Sequence, residues 1–261
     1  MARIADLLAH GHTWSFEFMP PKSPEAMRGF DAALVELAEL RPDFVSVTYG
    51  AMGTTRDTTR DLVTRVNAGH SFPAMPHLTC VGHTRGELVE LVGQYRDAGI
   101  DNILALAGDP PADGSECGGD FTYATELIEL VREAGDFSVG VAAFPELHPR
   151  SPDRATDRRL LVEKLELADF AVTQFFFEAE HYRTLIDELT DLGSTVPVVP
   201  GVMPFVSVAG TRRMAAVNNT EIPTWLQERM DAVDGDAEAT RKLGVAVATV
   251  LVAKLLDIGV P

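Results

Sequence analysis

Cysteine, positive charge and long apolar runs are all scarce in this sequence of 261 residues. The two cysteines, Cys80 and Cys117, belong to no Cys-x-x-Cys or Cys/His spacing, so the sequence indicates reduced thiols and no metal site. The apolar stretch at 243–256 is interrupted by Lys254 and is too short to cross a bilayer. Residues 1–14 lack the apolar run of a signal peptide. Together these absences predict a cytoplasmic protein.

Negative charge dominates the composition. Lysine and arginine total 22 against 39 aspartates and glutamates, which gives a formal net charge of -17. Such a surface repels the phosphates of nucleic acids and anionic lipids. We therefore expect small-molecule partners, with no nucleic acid and no membrane, and the sequence leaves a homo-oligomer open.

A GxGxxG motif after an early strand, typical of a Rossmann sheet, is also missing. What is present is a regular alternation of short apolar runs and segments with helical periodicity. The predicted strands are 14–18, 44–48, 75–80, 102–106, 138–143, 171–177 and 196–199. The predicted helices are 25–40, 58–68, 84–98, 123–134, 154–167, 179–192, 207–217, 222–230 and 237–256.

Seven βα units in a row predict an α/β protein. We expect a (β/α)8 barrel of the TIM type, formed by residues 1–261 as a single catalytic domain. After the last predicted helix the chain stops at Pro261, so the eighth strand is missing from the sequence. Seven strands leave the first and the last with unpaired edges. A neighbouring molecule, an irregular closure or a truncated chain each explains this, and the choice stays open.

Polar residues follow the predicted strands at the ends where barrels of this type carry their chemistry. Glu17 lies among aromatic residues in the segment 15–21 (SFEFMPP). Loss of hydration raises the pKa of a carboxyl group and makes it a proton donor near neutral pH. We predict that Glu17 is a catalytic acid, and the alternative is a strand-end glutamate in an ordinary salt bridge.

Other strand ends carry candidate ligand-binding groups. Asp109 follows a turn of small residues that lets a carboxylate approach a ligand closely, although Gly-Asp is also a common turn. Gln174 lies in an aromatic run and offers a donor and an acceptor to the edge of a heterocycle. His77 and His148 lie on different strands without a carboxylate at ligand spacing, so a hydrogen bond to a ligand or a satisfied core histidine is favoured over metal binding.

Seven strings at these strand ends resemble the methylenetetrahydrofolate reductase family, in the family's order, from Trp14 to the end of the chain. The strings are 15–21 (SFEFMPP), 46–51 (SVTYGA), 76–80 (PHLTC), 102–109 (NILALAGD), 141–149 (VAAFPELHP), 173–177 (TQFFF) and 200–204 (PGVMP). The resemblance implies reduction of 5,10-methylenetetrahydrofolate to 5-methyltetrahydrofolate, a step of one-carbon metabolism and methionine biosynthesis, with NADH or NADPH as the reductant.

The resemblance also implies roles for individual residues. Glu17 matches the family's general acid, and Asp109 matches a residue that contacts the pterin and tunes its protonation. Gln174 matches the pterin-binding glutamine, with Phe175 beside it as a further substrate contact. The positions that match the family's flavin-lining, cofactor-binding residues are Thr48, Tyr49, Ala51, His77, Gly108, Tyr123, Ala124, His148, Asp157 and Lys164.

Three positions depart from the family pattern where a flavin would bind. Ala107 stands in place of the arginine of Arg-Gly-Asp, Phe144 in place of a tyrosine, and Glu163 in place of the arginine of an Arg-Lys pair. Each lost charge-assisted contact to a diphosphate is worth about 1–3 kcal/mol. The sequence therefore resembles the flavin-independent actinobacterial branch of the family, which implies NADH as the direct hydride donor and no FAD.

Three other interpretations stay open at this stage. One is the same reaction carried out through bound FAD. Another is a different barrel enzyme, of the proline dehydrogenase or aldolase type, although residues 200–204 lack the basic phosphate-binding loop of an aldolase. The last is a folate-binding barrel without activity, which would have no need of an internal acid such as Glu17.

Overall fold

The computed structural model describes residues 1–50, 56–108 and 118–261. Ala51, Asp109 and Cys117, which were singled out above, lie outside the described residues. The described chain forms two compact units: Met1–Val141 with Leu167–Asp169, and Ala142–Glu166 with Phe170–Pro261. Each unit contains part of the predicted βα series.

The first unit consists of parallel strands that alternate with helices. Its helices are α1 (Ile4–His10), α2 (Pro24–Ala38), α3 (Arg56–Gly69), α4 (Arg85–Asp97) and α5 (Ala124–Ala134). Its strands are β1 (Ser15–Phe18), β2 (Phe44–Val47), β3 (Ala74–Thr79), β4 (Asn102–Leu106) and most of β5 (Ser138–Ala143). Consecutive strands pair in parallel from β1 to β5. Their carboxyl ends therefore lie at one edge of this sheet.

Local sequence signals explain several of these elements. All four residues of β2 are buried, as expected for a strand of a parallel sheet that is covered on both faces. Helix α4 begins with a capping box, in which the Thr84 side chain accepts from the Glu87 amide and the Glu87 carboxylate accepts from the Thr84 amide at 2.8 Å. This box sets where the loop after β3 ends.

Helix α1 was not predicted from the sequence. The Ile4 amide donates to Asn102 Oδ1 at 2.7 Å, and the Ala5 amide donates to Ser138 Oγ at 3.1 Å. Ile4 and Leu8 are its buried residues. Seven residues are too few to show a periodic pattern, so tertiary contacts rather than intrinsic propensity stabilise this helix.

The second unit contains the end of β5 and the remaining elements. Its strands are β6 (Phe170–Thr173) and β7 (Val198–Val199), which pair in parallel. Its helices are α6 (Arg154–Leu165), α7 (Ala179–Asp191), α8 (Val208–Asn218), α9 (Thr224–Val233) and α10 (Ala237–Ile258). Buried residues of the segment after β6, of α8, α9 and α10 and of the loop before α8 form one hydrophobic cluster, which includes Phe175, Phe177, Phe205, Leu226, Met230 and Val247.

Strand β6 ends at Thr173 rather than at residue 177, so Gln174 lies just beyond the strand and not within it. Thr173 Oγ1 accepts from the Gly201 amide at 2.8 Å. The rings of Phe175 and Phe177 then meet edge to face, with centroids 5.8 Å apart, inside the hydrophobic cluster. An apolar run in a buried loop cannot be told from a buried strand by periodicity, which explains the longer prediction.

The predicted fold class is confirmed. Seven strands alternate with helices in the order of an α/β barrel of the TIM type, and no eighth strand occurs within residues 1–50, 56–108 and 118–261. Over those same ranges, no helix combines the length and the apolar character needed to cross a membrane.

Candidate active site

Glu17 lies near the carboxyl end of β1, where it is in register with Ser46 of β2. Side chains alternate between the two faces of a strand. Phe18 packs edge to face on Phe30 of α2, with ring centroids 5.0 Å apart, so Glu17 points to the face of the sheet opposite that helix. The strand thus holds the carboxylate away from the apolar layer between the sheet and α2.

The Glu17 carboxyl is both reachable and poorly hydrated. Its side chain is 54% exposed, so water and a ligand can reach it. Surrounding protein atoms nevertheless displace part of its hydration shell, and this desolvation raises the pKa of Glu17 above its ordinary value. A glutamic acid that keeps its proton closer to neutral pH can donate that proton to a bound substrate.

His77 is an ionisable neighbour of Glu17. It lies on β3, and its Nε2 is 3.5 Å from Glu17 Oε2. The His77 side chain is 9% exposed, and within the described parts of the chain Nε2 has no hydrogen-bond partner. Burial lowers the pKa of His77 to about 4, so the imidazole is neutral at pH 7. A neutral imidazole adds no positive charge that would lower the pKa of Glu17.

The loop after β2 carries Thr48 and Tyr49. The Thr48 amide donates to Phe18 O at 2.9 Å, which ties this loop to the end of β1. The Tyr49 hydroxyl lies 3.2 Å from His83 Nε2, and both side chains are buried. Burial raises the pKa of Tyr49 and lowers that of His83, so both groups are neutral at pH 7.

Sequence reasoning missed His83. The residue directly precedes the Thr84 cap of α4, close to the carboxyl end of β3, and this position was the available signal. Gly119 packs so closely on it that an added Cβ would lie 2.6 Å from His83 O. Gly119 therefore restricts the backbone of His83, the partner of Tyr49.

The remaining cofactor positions predicted in the first unit lie at loop and helix starts. Gly108 follows β4 with a φ of 93°, a left-handed conformation that favours glycine, and an added Cβ would lie 3.0 Å from Thr79 Cβ. Tyr123 and Ala124 begin α5, and the Tyr123 side chain is 66% exposed. Tyr123 is thus free of the core and available to a ligand.

In the second unit, the predicted substrate contacts are adjacent. The backbone amide of Gln174 donates to Ala143 O at 2.8 Å. The side-chain Nε2 of Gln174 donates to Asn218 Oδ1 at 3.1 Å. Phe175 is 5% exposed and belongs to the hydrophobic cluster. Its burial favours a supporting role behind Gln174 over direct stacking on a ligand.

Asp157 and Lys164 of α6 are both committed to contacts within the protein. Asp157 accepts from Ser151 Oγ at 2.7 Å and pairs with Arg158 Nη1 at 2.5 Å. Lys164 Nζ donates to Ala142 O at 2.5 Å, and burial lowers its pKa to about 8. The backbone amide of His148 donates to Asp157 Oδ1 at 3.3 Å, so Asp157 also shapes the loop after β5.

The three positions that depart from the family's flavin pattern differ in their surroundings. The Phe144 ring packs edge to face on His148, with centroids 4.5 Å apart, and has no hydroxyl to offer a flavin. Ala107 follows β4 and offers no side-chain donor. Glu163, by contrast, is 55% exposed and pairs with Arg159 at 2.8 Å on the surface of α6. Ala107 and Phe144 thus lack groups of the flavin pattern at strand ends, whereas Glu163 lies on the surface of α6.

A separate cavity of about 430 Å³ lies within the second unit. The lining includes the polar residues Glu146, Arg154, His181, Asn219, Thr220 and Glu221. Glu146 Oε1 accepts from the Glu221 amide at 3.0 Å and lies 4.0 Å from His181 Nε2. Burial raises the pKa of Glu146 to about 7.

The raised pKa of Glu146 predicts a pH-dependent stability difference. The folded chain holds a proton on Glu146 between about pH 4.5 and 7 that the unfolded chain releases, so the free energy of unfolding falls as pH rises through this window. Glu146→Gln removes the cost of ionising the group and should stabilise the protein at pH 8 by about 2–3 kcal/mol. Denaturant unfolding at pH 8 and pH 4 checks this.

Glu180→Gln is the matched control for Glu146→Gln, because Glu180 is a glutamate of the same unit whose side chain is 75% exposed. We expect no pH-dependent difference for it. An equal stability of the Glu146→Gln variant and the wild type at pH 8 would contradict the prediction.

The strand order and the position of the polar groups define a class of protein. In barrels of the TIM type, chemistry occurs at the carboxyl ends of the strands, and Glu17, Thr48, Gly108 and Gln174 lie at or just beyond such ends. Across the described ranges no three His, Cys, Asp or Glu side chains come together as metal ligands would. These strand ends are the positions at which enzymes of the TIM-barrel class carry their catalytic groups.

The chain belongs to the methylenetetrahydrofolate reductase family, whose family model it matches over residues 3–261. It is 36% identical over 247 residues to the 5,10-methylenetetrahydrofolate reductase of Pectobacterium carotovorum, covering 94% of this chain and 82% of that protein. The enzyme of Escherichia coli K12 is also 36% identical, with the same coverage. A probable methylenetetrahydrofolate reductase (NADH) of Oryza sativa is 30% identical and matches over 99% of this chain and 46% of its own length.

Solved structures agree with the fold. An uncharacterized protein from Clostridium thermocellum, described as binding two copies of 5-methyl-5,6,7,8-tetrahydrofolic acid, superposes with a TM-score of 0.63 at 14% identity, covering 100% of this chain and 90% of that one. A tryptophan synthase chain from Pyrococcus furiosus gives a TM-score of 0.50 at 14% identity, covering 94% and 98%. At such identities the likeness concerns the fold.

The family assignment confirms the enzyme class predicted from the sequence. The chain is an oxidoreductase that reduces 5,10-methylenetetrahydrofolate to 5-methyltetrahydrofolate. This excludes the proline dehydrogenase-type, aldolase-type and non-catalytic interpretations.

Proposed function

We propose that this enzyme transfers a hydride from NADH directly to 5,10-methylenetetrahydrofolate, without a bound flavin, and that Glu17 is the general acid. The observation that carries the acid assignment is a reachable carboxyl with a raised pKa next to a neutral imidazole. NADH as the donor is supported by the name of the rice relative. Residues 1–261 would then act as one catalytic domain.

In the proposed reaction one carbon–nitrogen bond of the methylene bridge breaks. Its nitrogen receives a proton, and its carbon receives a hydride. Glu17 donates its proton to the nitrogen that leaves the bridging methylene, which opens the ring to an iminium. The hydride of NADH then adds to the methylene carbon and gives the methyl group, with NAD+ as the other product. Because the Glu17 side chain is 54% exposed, water can return the proton afterwards.

The residues predicted to contact the substrate would hold the pterin in place. Gln174 would bind the pterin edge with its remaining donor and acceptor. Asp109, which lies outside the described residues, would contact the pterin as the resemblance implies. Thr48, Tyr49 and Tyr123, which belong to the first unit, would then line the nicotinamide instead of a flavin.

The described residues fit FAD poorly. Ala107 provides no cation, and Phe144 provides no hydroxyl. Lys164 and Asp157, the charged members of the predicted cofactor set, already have partners inside the protein. The missing guanidinium and hydroxyl at positions 107 and 144 would remove two of the contacts that the family pattern offers a flavin.

Flavin independence predicts a colourless enzyme. The purified protein should show no flavin absorbance in the visible range, and it should oxidise NADH with 5,10-methylenetetrahydrofolate in the absence of added FAD. Sequential kinetics should accompany this, because both substrates must be bound together for direct transfer. A yellow protein that releases FAD on denaturation, or ping-pong kinetics, would contradict the proposal.

The double variant Ala107→Arg/Phe144→Tyr provides a positive control, because it restores the two family groups that this chain lacks. We expect it to bind FAD more tightly than the wild type in an equilibrium titration. Glu163→Arg, at an exposed position, should change FAD affinity less.

A further inference from the structure

The carboxamide of Gln174 lies within a short chain of hydrogen bonds that ends on the backbone at both sides. We propose that Asn218, the last residue of α8, fixes the orientation of this carboxamide and is a positioning residue for folate recognition. The inference rests on the proposed contact between Gln174 and the pterin. Nothing in the sequence strings described above pointed to Asn218.

The two ends of this series of hydrogen bonds determine which atom of each carboxamide donates and which accepts. At one end, Asn218 Nδ2 donates to Met214 O at 3.0 Å, and a carbonyl oxygen can only accept. Asn218 must therefore present its Oδ1 to Gln174, whose Nε2 donates to it at 3.1 Å. At the other end, the Phe175 amide donates to Gln174 Oε1 at 3.1 Å, and an amide N–H can only donate.

If the nitrogen and oxygen of the Gln174 carboxamide exchanged places, both of its hydrogen bonds would be lost. Its Nε2 would then face the Phe175 N–H, donor against donor, and its Oε1 would face Asn218 Oδ1, acceptor against acceptor. Flipping Asn218 as well would only move the conflict to Met214 O. The chain of bonds therefore permits one orientation of the Gln174 carboxamide.

The backbone that carries Gln174 is held on both sides. The Gln174 amide donates to Ala143 O at 2.8 Å. Thr220 Oγ1 donates to Phe175 O at 3.2 Å, so the residues after α8 hold the adjacent carbonyl. With its backbone fixed and its carboxamide oriented, Gln174 keeps one N–H and one oxygen lone pair for a ligand.

The oriented carboxamide of Gln174 would favour one kind of ligand edge. A fixed acceptor beside a fixed donor matches a heterocycle edge that presents a donor beside an acceptor, as the lactam edge of a pterin does. Preorganisation lowers the entropy lost when the ligand binds. Without Asn218, only the Phe175 amide would orient the carboxamide, which would then bind the same edge for a smaller part of the time.

Alanine substitution and a double-mutant cycle test this role. We expect Asn218→Ala to raise the KM for 5,10-methylenetetrahydrofolate, and the Kd for 5-methyltetrahydrofolate measured by calorimetry, by about tenfold, as for one lost orienting hydrogen bond. The kcat should change less. In a Gln174→Ala background, Asn218→Ala should add almost nothing, because it acts through Gln174.

Asn219→Gly is the matched control. Asn219 is the next residue, has a φ of 55°, and donates to Leu147 O at 3.3 Å without touching Gln174. Glycine tolerates this φ, so the variant loses one side-chain bond without strain. It should bind 5-methyltetrahydrofolate as the wild type does.

Asn218→Asp separates orientation from folding. A carboxylate keeps an acceptor for Gln174 Nε2 and loses the bond to Met214 O, so folate affinity should recover relative to Asn218→Ala. Equal affinity losses in the Asp and Ala variants, a wild-type Kd in Asn218→Ala, or additive losses in the double variant would overturn the inference while leaving the proposed function intact. A wild-type protein that binds no 5-methyltetrahydrofolate would overturn both.

Discussion

Glu17→Gln is expected to lower kcat for methylenetetrahydrofolate reduction by about a hundredfold to ten-thousandfold, the range that general acid catalysis supplies. Glutamine keeps the size and the hydrogen-bonding capacity of the side chain but cannot release a proton to the leaving nitrogen. The Kd for 5-methyltetrahydrofolate should therefore stay close to the wild-type value. Steady-state assay with NADH and calorimetry together measure both quantities.

The pH profile adds a second readout to this substitution. In the proposed mechanism the acid form of Glu17 is the active one, so the wild-type rate should fall as pH rises through the pKa of Glu17, and the raised pKa moves this fall towards neutral pH. The Gln variant should lack that limb. Glu25→Gln, on the exposed start of α2, is the matched control and should behave as wild type. Near-normal turnover of the Glu17→Gln enzyme would remove Glu17 from the mechanism.

Arg158→Met is expected to lower the free energy of unfolding by about 3–5 kcal/mol, the cost of removing one partner of a buried ion pair. Arg158 is 2% exposed. Its guanidinium donates to Glu188 Oε2 at 2.7 Å, to Asp157 Oδ2 at 2.5 Å, and to three backbone carbonyls of residues 144–146. Methionine would leave the buried Asp157 carboxylate without its cation.

The adjacent residue provides the control for Arg158. Arg159 lies on the same helix, is 61% exposed and makes a single surface pair with Glu163, so Arg159→Met should change stability by less than about 1 kcal/mol. Arg158→Lys should also be destabilising, because an ammonium cannot reproduce five directed N–H donors. Denaturant unfolding measures all three variants, and a change below about 1 kcal/mol in Arg158→Met would contradict the prediction.

The sequence was sufficient to predict the features that depend on local patterns. The strands near Glu17, Thr48 and Gln174 were located because apolar runs end in polar residues at the same place in each βα unit. The family strings then indicated the chemistry. The length of β6 was overestimated, because the side chains after Thr173 are as apolar as a strand while packing in a loop.

The sequence was not sufficient for contacts between residues far apart in the chain. Asn218 lies 44 residues from Gln174, and Glu188 lies 30 residues from Arg158. His83 forms its pair with Tyr49 over 34 residues. No local pattern marks such partners, since each looks like an ordinary polar residue on a helix or loop.

The half-exposed position of Glu17 has a consequence for the origin of the two hydrogens in the product. If Glu17 is the acid, as proposed, bulk water can reprotonate it after every cycle and no internal chain of proton carriers is required. The hydrogen delivered to nitrogen would then exchange with that of the solvent, whereas in the proposed direct transfer the one delivered to carbon would come only from the nicotinamide. Under direct transfer, the methyl group would carry an isotopic record of its donor that solvent cannot erase.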